Sequence, residues 1–155
     1  SWSWGLLDGW QLQSIGLFQS GTPVSAILAT DVAGTGSPVV NRPNLTGNPS
    51  VSNPTPERFF NTDVFEVPEL GSFGNSGRNV IIGPSFSNLD LAVTKTFRVS
   101  DFLRAQFRVD FYNALNKPNF VAPPTTQNFA DSPEFGALFV ARSPRIVEMG
   151  LRLFW

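Results

Sequence analysis

The sequence predicts an all-β chain of antiparallel, up-and-down strands, and three observations carry that prediction. Apolar and polar residues alternate with period two over segments of about ten residues, the period that sends successive side chains to opposite faces of a strand. The segments between them are alternately very short and very long. The composition suits strands and turns, with 15 Phe, 13 Gly and 13 Pro in 155 residues and only 15% charged side chains. Helical periodicity is hard to find in any window.

Residue types narrow the chemistry. Eleven basic and twelve acidic residues give a net charge of −1, with no basic surplus for a nucleic-acid partner. There is no Cys and no His, which removes disulfides, thiolate metal sites, and the commonest general base and metal ligand. No run reaches the roughly 18 apolar residues of a transmembrane helix. The chain opens at Ser1 without a Met or a leader, so it reads as a piece of something longer. No catalytic, metal-binding or cofactor-binding residue is expected, and the chain is not expected to be an enzyme.

In chain order, Ser1–Trp4 reads as the tail of a strand with Trp2 and Trp4 on one face. Residues 10–19 form the next, with Trp10, Leu12, Gly16 and Phe18 against Gln11, Gln13 and Gln19; Ile15 and Leu17 blur its pattern. Residues 87–98 set Leu89, Leu91, Val93 and Phe97 against Asn88, Asp90, Thr94, Thr96 and Arg98. Lys95 breaks the apolar face near the segment's end, where a long side chain can snorkel. Residues 103–113 are the clearest: Leu103, Ala105, Phe107, Val109 and Phe111 oppose Arg104, Gln106, Arg108, Asp110 and Tyr112. Residues 145–155 place Val147, Met149, Leu151, Leu153 and Trp155 opposite Ile146, Glu148, Gly150, Arg152 and Phe154. Gly5–Gly9 and Val99–Phe102 read as tight turns, while 20–86 and 114–144 are long loops. The first of these loops holds eight of the thirteen Pro and eight of the thirteen Gly. A short helical turn is expected near Pro56–Phe60, and Phe59, Phe60, Phe65 and Phe73 are expected to tether the loop.

Soluble strands have a mode of about 5–6 residues, whereas a tilted strand needs about 9–11 to cross a bilayer. Short turns on one side and long loops on the other are the outer-membrane pattern. Together these specify an antiparallel up-and-down transmembrane β-barrel fragment, the last four to five strands of one barrel domain covering 1–155, with long extracellular loops. Leu103, Phe107, Val109, Phe111, Val147, Met149 and Leu151 are then the lipid-facing residues. Trp2, Trp4, Trp10 and Trp155 fall at one rim, where amphipathic rings form an interface girdle. The two apolar sets of the hairpin 87–98/103–113 share a face only if odd-numbered residues pair with odd ones.

The C-terminus, Glu148-Met-Gly-Leu-Arg-Leu-Phe-Trp155, resembles the outer-membrane assembly signal, with Glu148, Gly150, Leu153 and Trp155 in its places. Such a strand is recognised by edge pairing in the barrel-assembly machinery. Gly77-Arg-Asn-Val-Ile-Ile-Gly-Pro-Ser-Phe-Ser-Asn-Leu-Asp-Leu91, continuing to Lys95-Thr-Phe97, resembles a strand near the end of TonB-dependent receptors of the Oar-like subgroup, which carry a carboxypeptidase-regulatory-like domain. Phe107-Arg-Val-Asp-Phe-Tyr-Asn-Ala-Leu-Asn-Lys-Pro-Asn-Phe120 is similar to that family's next strand and loop entry, and Gln19-Ser-Gly-Thr-Pro23 and Phe60-Asn61 fit the same pattern.

The resemblance implies a 22-stranded barrel in the bacterial outer membrane, a plug in its lumen, contact with TonB through an N-terminal part missing here, and transport of a substrate the sequence does not name. Relatives often carry an acidic, calcium-loop-like segment where Asp31-Val-Ala-Gly-Thr-Gly36 stands. Here only Asp31 supplies a carboxylate, against the six to eight oxygens calcium takes, so no calcium site is expected. Gly74-Asn-Ser-Gly77 lacks the Lys of a phosphate loop and reads as a turn.

The charged side chains Asp90, Arg98, Arg104, Arg108, Asp110, Glu148 and Arg152 share the polar faces. They read first as an ion-paired wall packed against a plug, and second as a charged substrate path. Two alternatives to the receptor reading remain: a soluble, secreted, glycan-binding β-sandwich, and an oligomer whose copies each give strands to one barrel.

Overall fold

The computed structural model describes residues 7–37, 41–123 and 128–155. Its strands are β1 (Trp10–Gln19), β2 (Pro23–Val24), β3 (Asn44–Leu45), β4 (Phe65–Glu66), β5 (Ile81–Ile82), β6 (Phe86–Arg98), β7 (Arg104–Tyr112) and β8 (Ile146–Phe154). The strand expected at 1–4, with Trp2 and Trp4, lies outside the described residues. The chain divides into a strand unit (Ser1–Gln19, Ser87–Pro118, Ser143–Trp155) and a loop unit (Ser20–Phe86, Asn119–Arg142).

In the strand unit four strands pair in the order β1-β6-β7-β8. They are 10, 13, 9 and 9 residues long, lengths that suit a tilted bilayer crossing better than a soluble sheet. The β6–β7 and β7–β8 ladders are antiparallel, and every rung joins odd to odd or even to even, from Leu91↔Phe111 to Arg98↔Arg104 and from Arg104↔Phe154 to Tyr112↔Ile146. The alternation of all three strands is therefore in phase. One face of this ladder carries the apolar set and the other the polar set.

Two turns fix its ends. Gly9 has φ 76° and its missing Cβ would stand 2.5 Å from the Thr96 carbonyl oxygen; only glycine suits both conditions. After β7 the backbone reverses through Asn113 and Asn116, both at φ 50°, a region that Asn tolerates better than other non-glycine residues. Asn113 is buried and serves as the hub. Its N–H donates to Asp90 Oδ1 at 2.9 Å, its Nδ2 donates to the Lys117 carbonyl at 3.0 Å, and its Oδ1 accepts from Lys117 N at 3.1 Å. Asn116 Oδ1 accepts from Arg145 N at 3.1 Å, tying the approach to β8 to the same turn.

The segment 20–86, expected as a long loop tethered by its own phenylalanines, is part of a compact loop unit. The unit joins that segment to Asn119–Arg142 around a core of Val24, Ala26, Phe60, Phe65 and Ile81. Its prolines keep its strands to two residues, paired as Pro23↔Ile82 with Val24↔Ile81, and Asn44↔Glu66 with Leu45↔Phe65. Glycines allow the close approaches: a Cβ on Gly21 would lie 1.8 Å from the Gly83 carbonyl oxygen. Phe60, Phe65 and Phe135 pack edge to face with centroids 4.9–5.9 Å apart. Phe135 from the second loop thus takes the part expected of Phe73, which is 68% exposed. The helical turn expected at Pro56–Phe60 is instead a series of bends, in which Thr55 N donates to the Arg58 carbonyl and Arg58 N to Thr55 Oγ1.

Candidate functional site

The ladder's two faces are the features that bear on function. On the apolar face, Phe107 pairs with Lys95 and Leu151, Val109 with Val93 and Met149, and Phe111 with Leu91 and Val147. Met149, Leu151 and Val147 are 73%, 67% and 47% exposed, and Phe107 is 39% exposed. Leu103, Val109 and Phe111 are half-buried among their neighbours. A sandwich would require the stripes of β7 and β8 to bury one another across two sheets. Here they lie side by side in one sheet, so each extends the other.

Lys95 departs from the expected snorkelling. Its side chain is almost wholly buried. Its Nζ donates to the Asp8 carbonyl and lies 5.0 Å from the Trp10 ring and 5.4 Å from that of Phe97. The cation is held by a turn carbonyl and two ring faces, an arrangement that offsets part of its desolvation. Trp10 thereby has a specific partner within the strand unit, while Trp155 follows β8 and stands 92% exposed.

The polar face runs in rows. Arg98, Arg104 and Phe154 form the row nearest the β6–β7 turn; Thr96, Gln106 and Arg152 the next; Thr94, Arg108 and Gly150 the third; Ala92, Asp110 and Glu148 the fourth. Arg108 binds Asp110 of its own strand through two nitrogens, at 2.7–3.1 Å. That is the one ion pair on this face among the described residues. The ion-paired wall is therefore not what the ladder builds, because the register sets like charges opposite one another: Arg98 faces Arg104, and Asp110 faces Glu148. Asp90 accepts from Asn88 Nδ2 and from Asn113 N, which ties it to the turn and not to an arginine.

Of the four assembly-signal residues, Glu148 pairs with Asp110, Gly150 with Arg108 and Leu153 with Ala105, while Trp155 lies beyond the last rung. A Cβ on Gly150 would meet nothing within 4 Å, so packing within this chain does not demand a glycine there. Among the described residues β8 and β1 are the edges of the sheet, each with a strand on one side only.

Two loop carboxylates are taken up by hydrogen bonds within the loop unit. Asp31 accepts from Thr35 N, Thr35 Oγ1, Gly36 N and Asn41 Nδ2 at 2.6–3.2 Å, and the Thr35 bond leads in holding its carboxyl below the ordinary value. For Asp131, burial raises the carboxyl, but bonds from Ala29 N at 2.8 Å and from Thr30 N and Oγ1 outweigh it and hold it low. Asp131, Asn113 and Phe135 are contributions that sequence reading missed. The two Asn at positive φ in Asn113-Ala-Leu-Asn116 were the one available signal.

Over residues 2–148 the sequence matches the family model described as an outer membrane beta barrel domain. The chain belongs to that family. No curated protein and no solved structure gives a significant match. Membership explains the long strands and the exposed stripe together, since both suit a wall between lipid and lumen. The protein is a bacterial outer-membrane barrel protein, and the soluble sandwich falls away. Among the described residues the four-stranded sheet has two open edges, and the smallest single-chain barrels close with about eight strands.

Proposed function

We propose that this outer membrane beta barrel chain is the C-terminal barrel portion of a TonB-dependent receptor of the Oar-like subgroup, supplying barrel wall and extracellular loops to an uptake or export path. The carrying observation is the stretch Phe107–Phe120, similar to that family's strand and loop entry. Its first residues, Phe107–Tyr112, complete β7, and the asparagine turn follows. On this reading the polar face lines the lumen, the apolar stripe meets outer-membrane lipid, and Trp10 and Trp155 belong to the rim girdle. The open edges pair with further strands of the same barrel, a plug fills the lumen, and TonB engages a more N-terminal part. Glu148, Gly150, Leu153 and Trp155 present β8 to the assembly machinery by edge pairing. The chain performs no catalysis and needs no cofactor or metal.

The test uses the full-length protein that carries this chain, purified in detergent and mixed with the periplasmic domain of TonB. Stable co-elution is expected, together with near-zero conductance in planar bilayers. An open pore with no affinity for TonB would instead make the protein a passive channel.

A further inference from the structure

A cavity of about 200 Å³ opens into the loop unit beside its core. Phe60 and Ile81, two of the five core residues, form part of its wall, and Phe59 and Val80 extend it. Pro49, Val51 and Pro54 close it from a third segment, while Ser50, Pro54 and Ile82 are exposed and mark its mouth. The covering segment is tied at its two ends. Asn61 N donates to the Pro49 carbonyl at 2.7 Å, and Leu138 N donates to the Pro56 carbonyl at 2.7 Å. Between these ties, Val51, Ser52, Asn53 and Pro54 make no hydrogen bond among the described residues. They cross the cavity as a strap whose course is set by the fixed φ of Pro49 and Pro54.

Protein interiors hold few voids larger than a water molecule, so a hollow of this size against the core points to a guest. Size, charge and wall chemistry define it. An apolar cavity of about 150 Å³ holds a benzene molecule, so this one admits a single ring with a short substituent. It is too small for an acyl chain or an oligosaccharide. Among the described residues no charged side chain lines it. A charge brought in would lose its water without gaining a partner, so the guest is neutral. Phe59 and Phe60 favour another aromatic ring in edge-to-face or offset contact, and the Ser50 hydroxyl at the mouth offers a hydrogen bond to a polar substituent. We propose that this cavity is a binding site for a neutral monocyclic aromatic compound bearing at most one hydroxyl or similar group. The site goes beyond the receptor reading, since all its walls belong to the loop unit and neither TonB nor a strand outside this chain takes part.

The test uses the full-length protein held in an amphipathic polymer, because detergent tails compete for an apolar site. Fluorine NMR of 4-fluorobenzyl alcohol follows binding. Saturable binding is expected, at least tenfold weaker in Val51→Phe, whose added ring occupies the cavity from the strap. The charged counterpart 4-fluorobenzoate should also bind at least tenfold more weakly. No saturable binding, equal binding by Val51→Phe, or equal binding of 4-fluorobenzoate overturns the proposal. A second measurement needs no variant. Benzyl alcohol carrying a photoreactive diazirine is activated with the unsubstituted protein, and the labelled peptides are mapped. Labels within 49–60 and 80–82 that fall at least fivefold under excess benzyl alcohol are expected. Labels confined to the apolar stripe of Phe107, Met149 and Leu151, or indifferent to the competitor, overturn the site. Such a failure leaves co-elution with TonB untouched, and loss of that co-elution leaves this site untouched.

Discussion

The two units invert the usual relation between regularity and burial. The strand unit has long ladders in constant register, yet Met149, Leu151, Leu12 and Phe18 stand more than half exposed. The loop unit has strands of two residues, yet Val24, Ala26, Ile27, Leu28, Phe60 and Ile81 are buried. In the first, order comes from backbone hydrogen bonds between strands, and the apolar side chains await a medium outside the chain. In the second, order comes from a small core and from side chains that take up the backbone groups a sheet would otherwise pair, such as Asn75 Oδ1 accepting from Leu45 N. Substitutions should therefore divide sharply by unit.

The largest effect is expected at the aromatic trio. Phe60 is 5% exposed and packs against Phe65 and Phe135 from two separate loops. Phe60→Ala should cost the loop unit about 3–5 kcal/mol. Limited proteolysis should then cut within 20–86 and 119–142 while the barrel keeps its heat-modifiable mobility on gels. Loss of that mobility would show that the two units do not stand independently.

The reciprocal change belongs to the stripe. Phe107→Arg should cost about 2–4 kcal/mol of folding into lipid vesicles, the range for an arginine at mid-bilayer on a barrel's outer face. Arg108→Phe, one residue along, should cost less and act through the lost bidentate bond to Asp110. Urea titrations of vesicle-folded protein separate them. If the two were equally costly, the assignment of the faces would be broken.

A smaller loss is expected at the turn after β7. Asn113→Ala removes the two side-chain hydrogen bonds, to Lys117 N and to the Lys117 carbonyl, while keeping the backbone bond to Asp90, and leaves a side chain with no polar partner at φ 50°. About 1–3 kcal/mol follows from one unsatisfied buried group, and Asn113→Gly should recover the part owed to backbone conformation alone. No recovery would assign the whole effect to the hydrogen bonds.

What was legible follows the same division. Period-two alternation in Leu103–Asn113 and Arg145–Trp155 located β7 and β8 to within a residue, because a ladder repeats one local rule along its length. Parity alone fixed the odd-with-odd register of Leu91 with Phe111. The loop unit obeys no such rule. Phe135 reaching Phe60, and Asp131 reaching Ala29 and Thr30, are pairings across seventy to a hundred residues with no periodic trace. Lys95 was legible as an exception on its strand, but its partners were not, since Asp8 belongs to a turn and Trp10 to another strand. The charges on the polar face could be placed on that face, but their pairing depends on which rows meet, and that emerged only with the cross-strand register.

The gentlest separation of the units is by acid. Asp31 and Asp131 both titrate below the ordinary carboxylate value, Asp31 through Thr35 first and then Asn41 and Gly36, and Asp131 through Ala29 and Thr30 against an opposing burial. A carboxyl held low in the folded state and returned to about 3.9 on unfolding stabilises the fold above that unfolded value. Its contribution drains away as pH falls through the folded one. Both groups lie in the loop unit, and Asp131 joins segments about a hundred residues apart. The loop unit should therefore loosen below about pH 4 while the strand ladders, held by backbone bonds, stay closed. Hydrogen exchange at pH 5 and pH 3, each corrected for intrinsic rate, should show protection falling at 26–36 and 128–131 and holding at 104–112 and 146–154. Asp131→Asn, which keeps an acceptor but cannot be protonated in this range, should flatten the change at 128–131 and leave that around Asp31. If protection fell equally in both units, the acid response would belong to the barrel as a whole and not to these two carboxylates.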